Sequence, residues 1–221
     1  HDLKAMRAAA SPATRLVYVC NPNNPTGTLV SGAELREFIA ALPSDISVLV
    51  DEAYLELASD MSEHSVVDRV RAGDKVIVAR TFSKLHGLAG LRIGYALARP
   101  DLIARMAKLK LVAASSLGLA AASASYTDLP FQALSRKNLA AGVAITTAAL
   151  DELKRPYAPT RANFVFFDTG QPAAEFLAAM RERGFALGRP FPQYANWCRV
   201  SMGTVEQMQQ FAGALRAHYA A

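Results

Sequence analysis

The chain has 221 residues, a formal net charge of +5, 52% hydrophobic and 19% charged residues. That composition indicates a globular protein of one large domain, or a large and a small one, and excludes a disordered chain. Scattered positive charge argues against nucleic-acid binding, no uncharged apolar run is long enough to span a bilayer, and Cys20 and Cys198 form no disulfide framework. In chain order, Leu16 to Cys20 is a β-branched and aromatic strand ended by a proline-asparagine loop. Ser31, with Glu34 three residues on, opens a helix by a capping box. Ile46 to Val50 is a buried strand, Val66 to Arg71 a helix, Val76 to Ala79 a strand and Ile93 to Ala98 the next. Pro100 stands at a helix start that continues from Asp101 to Leu111. This alternation predicts a mostly parallel sheet with helices on both faces. The alanine-rich stretch near 111–126 is interrupted by serines and a glycine and receives no element. A long helix is expected over Pro130 to Lys154, ended by Pro156 and Pro159. A strand follows over Phe164 to Phe167, then a helix over Pro172 to Arg183 capped by Gly184, a strand over Cys198 to Met202 and a closing helix over Val205 to His218. This second half reads as a small α+β domain.

Three strand ends carry polar signatures, which is where open α/β sheets place ligand-binding side chains. The first is NPNNPTGT, residues 21–28, the second VDEAY, residues 50–54, and the third ARTFSK, residues 79–84. The third runs on into RTFSKLHGLAGLRIGY, residues 80–95, with Lys84 between hydroxyls and a glycine-rich turn and Arg92 eight residues later. A lysine in that setting suits a Schiff base with an aldehyde cofactor, because only the free amine attacks a carbonyl. Thr81, Ser83 and Arg92 suit the binding of a phosphate dianion. Neither a P-loop, a dinucleotide fingerprint nor zinc-ligand spacing is present, and no metal site is expected.

These residues resemble the fold-type-I pyridoxal-phosphate-dependent aminotransferases of class I/II, and within them the histidinol-phosphate aminotransferase-like branch. The resemblance implies a three-layer sandwich with a mostly parallel sheet plus a smaller C-terminal α+β domain, with the N-terminal part of the fold missing. It divides the chain into the remainder of a large cofactor-binding domain over 1–128, an interdomain helix over 129–155 and a small domain over 156–221.

By the same resemblance the cofactor is pyridoxal 5'-phosphate, and Lys84 forms the Schiff base and carries the proton during catalysis. Asp51 pairs with the pyridine nitrogen, a contact of about 4 kcal/mol before desolvation at a dielectric near 20. Glu52, its neighbour on a strand, must face the other way. Asn24 and Tyr54 bond the cofactor's 3-oxygen, and Thr81, Ser83 and Arg92 bind the phosphate. Arg199, in WCRVSMGT at 197–204, clamps the substrate α-carboxylate, and Asn163, in RANFVFFDTG at 161–170, lies near the substrate. His86 is expected to pack or to bond within the glycine turn. The implied reaction moves an amino group between an amino acid, or an amino alcohol phosphate such as histidinol phosphate, and a 2-oxo acid. Alternatives are a decarboxylase or lyase of the same fold, and a cofactor-binding sensor domain of a transcription regulator. A cytoplasmic homodimer is implied, with an export signal upstream of His1 left open. Two departures stand against the pattern. The ring-stacking and glycine-containing phosphate-binding segment of the family is expected upstream of His1, so this stretch alone should bind cofactor poorly. Residues 111–116 lack the proline-aromatic-asparagine turn of many relatives, which bears on the substrate pocket.

Overall fold

Period-two alternation sets the first part of the structure, a computed structural model that describes residues 1–58, 60–109 and 112–220. The chain divides into two compact units, one of His1–Asn23 with Leu29–Gln132 and one of Asn24–Thr28 with Ala133–Ala221.

In the first unit, α1 (Leu3–Ala9) starts on the Asp2 carboxylate, which accepts the Ala5 N–H at 2.9 Å. β1 (Leu16–Cys20) follows, and then α2 (Gly32–Ala41), where Ser31 and Glu34 form the expected capping box. β2 (Ser47–Asp51) leads through a 3-10 turn at Leu55–Leu57 to α3 (Met61–His64) and α4 (Val67–Arg71). β3 (Val76–Thr81), a second 3-10 turn at Ala89–Leu91, β4 (Gly94–Leu97), α5 (Pro100–Lys108) and α6 (Ser116–Thr127) complete the series, with α7 (Leu129–Glu152) beginning in this unit. The sheet order is β1-β2-β3-β4, parallel through β3 and antiparallel between β3 and β4. The last pairing departs from the parallel run for a physical reason. The segment joining β3 to β4 is spent on a tight turn, closed by Phe82 N–H to Ile93 O at 3.1 Å, and holds no crossover helix.

Val19, Val50, Val76 and Val78 are fully buried against Leu35, Phe38 and Ile39 of α2, each contributing about 1.5–3 kcal/mol by burial. On the other face of β1, Leu16 and Tyr18 remain 54% and 49% exposed. The end of the expected helix at Leu111 lies outside the described residues, and its described part stops at Lys108. The described part of the unassigned stretch holds most of α6, which starts at Ser116. Its serine at 115 is an N-cap accepting the Gly118 N–H at 3.3 Å, and Gly118 lets the helix approach Ile93, where an added Cβ would sit 2.7 Å from that side chain.

In the second unit, β5 (Phe164–Asp168) pairs antiparallel with β6 (Trp197–Ser201), with Phe166 opposite Arg199. The rest of α7, α8 (Ala173–Glu182) and α9 (Val205–Tyr219) pack with this pair around Leu150, Val165, Phe167, Phe176, Met180 and Phe211. The NPTGT loop is carried by this unit. Gly27 there has φ +75, and Arg161 N–H bonds its carbonyl at 2.8 Å. A Cβ at Gly27 would collide with Thr160. Among the described residues no helix is long and apolar enough to cross a membrane.

Candidate active site

Parallel pairing brings Cys20, Asp51 and Ala79 side by side at the carboxyl edge of the first unit's sheet. Asp51 Oδ1 accepts the Ala53 N–H at 3.0 Å, and Oδ2 accepts the Tyr18 hydroxyl at 2.9 Å. Glu52 turns to the opposite side, as strand geometry requires. It is 1% exposed and accepts from Arg80 Nε at 2.9 Å and Nη2 at 2.8 Å, from Ser65 Oγ at 3.1 Å and from the Val66 N–H at 3.0 Å. Burial works against the Arg80 charge, but the Glu52 carboxylate outweighs it and holds the Arg80 pKa above its ordinary value. Of the two adjacent carboxylates, Glu52 is therefore committed to the interior.

Tyr54 is buried, and Lys84 Nζ stands 5.0 Å from its ring centroid. Lys84 follows the end of β3 by three residues, so the connections after β2 and β3 bring Tyr54 and Lys84 together. Thr81 Oγ1 donates to Ser83 Oγ at 2.9 Å and accepts the Ser83 N–H at 3.1 Å, which places two hydroxyls beside the lysine in sequence. Arg92 sits at φ +56, a left-handed conformation that is uncommon outside glycine, and donates Nη1–H to Ala89 O at 2.9 Å. His86 is buried, its Nδ1 2.9 Å from Ser125 Oγ and its ring 4.7 Å from Phe82. Those contacts agree with the packing role expected for it.

In the second unit, Arg199 on β6 donates Nη1–H to Asn24 Oδ1 at 2.6 Å. Its guanidinium lies 4.9 Å from the Phe164 ring centroid and 5.8 Å from that of Phe191. Its Nε is buried and has no hydrogen-bond partner among the described residues. A buried N–H left unpaired is costly and marks a place for an acceptor. Asn163 enters β5, and its carbonyl accepts the Met202 N–H at 2.9 Å, a backbone role that leaves its side chain as a candidate only. Cys198, beside Arg199, is a buried thiol whose pKa burial pushes up to about 12, a setting that suits packing.

The family model for aminotransferase class I and II matches residues 1–215. The chain belongs to that family. A histidinol-phosphate aminotransferase of Ralstonia nicotianae is 39% identical over 98% of this chain and 59% of its own length. An aromatic amino acid aminotransferase of Mycobacteroides abscessus is 42% identical over 98% of this chain and 62% of its own length. The crystal structure of a Sinorhizobium meliloti histidinol-phosphate aminotransferase, in complex with pyridoxal-5'-phosphate, superposes with a TM-score of 0.88 at 29% identity, covering 99% of this chain and 61% of that one. The chain thus spans about 60% of the length of the relatives it matches, and its fold is that of the aminotransferases.

Sequence reasoning missed two contacts here. One is the Tyr18 hydroxyl on Asp51, for which the signal is the parallel register that puts Tyr18 and Asp51 on one face of neighbouring strands. The other is the anchoring of Glu52 by Arg80, which no spacing rule announces.

Proposed function

We propose that the protein is a pyridoxal-phosphate-dependent aminotransferase moving an amino group between an amino acid, or an amino alcohol phosphate such as histidinol phosphate, and a 2-oxo acid. The observation that carries this reading is Lys84, three residues past the end of β3, with its amine 5.0 Å from the centroid of the buried Tyr54 ring, after the strand that neighbours Asp51. When bound, pyridoxal phosphate supplies an electron sink that labilises bonds to the substrate α-carbon. Lys84 would attach the cofactor through its amine and, once released by substrate, move the proton from the α-carbon. Asp51 would accept a hydrogen bond from the protonated ring nitrogen; its two oxygens each retain an acceptor position after the Ala53 and Tyr18 bonds. Asn24 and Tyr54 would bond the 3-oxygen, and Thr81, Ser83 and Arg92 the phosphate. Arg199 would hold the substrate carboxylate, with its unpaired Nε as one donor, and Asn163 would lie near the substrate.

The same reading makes the protein a homodimer in the cytoplasm. Leu117, Leu119 and Tyr126 of α6 are exposed apolar side chains, which suits burial by a second copy, and two buried cysteines outside any disulfide suit a reducing compartment. Light scattering on the full protein and cell fractionation check these points. The central test is borohydride trapping of the cofactor-loaded protein followed by peptide mapping. The adduct is expected on the peptide containing Lys84 and absent from Lys84→Ala. A coupled assay with 2-oxoglutarate across a panel of amino donors tests the reaction, and no transfer with any donor overturns it.

A further inference from the structure

The carboxylate of Asp51 is held by two donors, and only one of them is backbone. β1 and β2 run parallel in the register Tyr18↔Leu49 and Cys20↔Asp51, so Tyr18, Cys20 and Asp51 share one face of the sheet. Val17, Val19, Val48 and Val50 fill the core on the opposite face. From that position the Tyr18 hydroxyl reaches diagonally across to Asp51 Oδ2 at 2.9 Å, while Ala53 N–H holds Oδ1 at 3.0 Å. One donor on each oxygen fixes the carboxylate plane, whereas a single donor would leave it free to turn about its Cβ–Cγ bond. The Tyr18 ring is 49% exposed, so core packing does not require it.

We propose that Tyr18 is a positioning residue for the cofactor site, orienting the Asp51 carboxylate toward the protonated ring nitrogen of pyridoxal phosphate. The inference rests on the functional reading above. A phenol suits the task because it donates without competing for the ring-nitrogen proton. Its own proton is held tightly: burial, then the bond to Asp51, raise the Tyr18 pKa. The titratable groups facing it are Asp51 on β2 and Cys20 two residues along β1, and both push in that direction. His1 Nε2 lies 2.9 Å from the Cys20 carbonyl oxygen and 3.1 Å from its nitrogen, and bonds one or the other according to its tautomer.

The test titrates the cofactor-free full protein with pyridoxal phosphate and reads Kd from absorbance or fluorescence. Tyr18→Phe keeps the ring and removes the donor. Its Kd is expected to rise about five- to tenfold, the size of one ordinary net hydrogen bond, with the cofactor-free protein still unfolding cooperatively. In the Asp51→Asn background the same change should add nothing, since Tyr18 acts through Asp51. A wild-type protein that does not bind, or an Asp51→Asn variant that binds as wild type, overturns the functional reading. With those two behaving as expected, a Tyr18→Phe Kd equal to wild type, or a full additive loss on Asp51→Asn, overturns this inference alone. Tyr18→Leu, which also removes the donor at this half-exposed position, covers the case in which the phenylalanine variant misfolds. A Kd equal to wild type in that variant overturns the proposal.

Discussion

Replacing Glu52 by Gln tests whether its anchoring sets the strand end that presents Asp51. Glu52 is 1% exposed and accepts four hydrogen bonds, two of them from Arg80, whose side chain is itself only 11% exposed. The amide keeps shape and one acceptor oxygen, so Val66 N–H or the Arg80 fork retains a partner. What is lost is the charge that compensates Arg80, and one oxygen becomes an NH2 pointed at donors. Breaking a buried pair by removing one partner costs about 3–5 kcal/mol, and the residual exposure of Arg80 together with the retained amide oxygen puts Glu52→Gln at the lower end, about 3 kcal/mol. Replacing Arg80 by Met as well removes the stranded charge and should recover part of that loss. Urea denaturation of the cofactor-free protein reads both variants at constant m. A Glu52→Gln loss below about 0.5 kcal/mol, a value typical of exposed pairs, would refute the argument that this pair is a buried anchor.

Arg199→Lys keeps a positive charge but loses the planar fork, and it should raise KM for the amino donor about tenfold or more with a smaller change in kcat; unchanged steady-state kinetics would count against the carboxylate role. Cys198, with a pKa raised to about 12 and 2% exposure, should resist iodoacetamide at pH 8 until the protein is unfolded in urea, so fast labelling of the native protein would contradict its burial. Ser31→Ala should destabilise the protein by about 1 kcal/mol through loss of the α2 cap. The Ser31 hydroxyl, then its backbone N–H, lowers the Glu34 pKa, so the stabilisation from that carboxylate is present above the ordinary Glu pKa of about 4.3 and is lost as pH falls through the lowered folded value. The gap between wild type and variant should accordingly narrow in acid, as measured by denaturation at pH 7 and pH 3.

The strands were legible where side-chain chemistry alone decides them. β1 ends where its β-branched and aromatic run meets the proline-asparagine loop, and α2 begins at the Ser31–Glu34 box. What escaped depends on partners. α6 received no element from the sequence, yet one serine caps it and Gly118 is the close-approach point to Ile93. The antiparallel turn of β4 follows from how the β3–β4 connection folds, which periodicity does not reveal. At the site, the resemblance singled out Asn24 and Arg199 separately. Their direct bond joins residues 175 apart in sequence, a pairing only the folded chain displays. Tyr18 was hidden for a related reason: it gains meaning only once β1 is known to lie beside β2 in parallel register.

Under the proposed carboxylate role, the bond between Asn24 and Arg199 also determines which edge of the guanidinium would face the ligand. Arginine can present a carboxylate with its two terminal nitrogens or with the side-on pair of Nε and Nη2. Nη1 is already given to Asn24 Oδ1 at 2.6 Å, while Nε is buried without a partner. The side-on edge is therefore the one left for a bidentate acceptor. Phe164 and Phe191 lie within cation–π distance of the guanidinium, at 4.9 and 5.8 Å. They restrict its swing, so the edge is aimed before any ligand arrives. Lysine has no such edge and stacks less well on a ring, which is why the charge-conserving substitution is the sharper probe of this arrangement than an alanine. Asn24 enters the same reasoning twice, as a proposed partner of the cofactor's 3-oxygen and as the acceptor that orients Arg199. Changing it to Ala should disturb cofactor affinity and amino-donor KM together, whereas loss of either role alone would move only one of them.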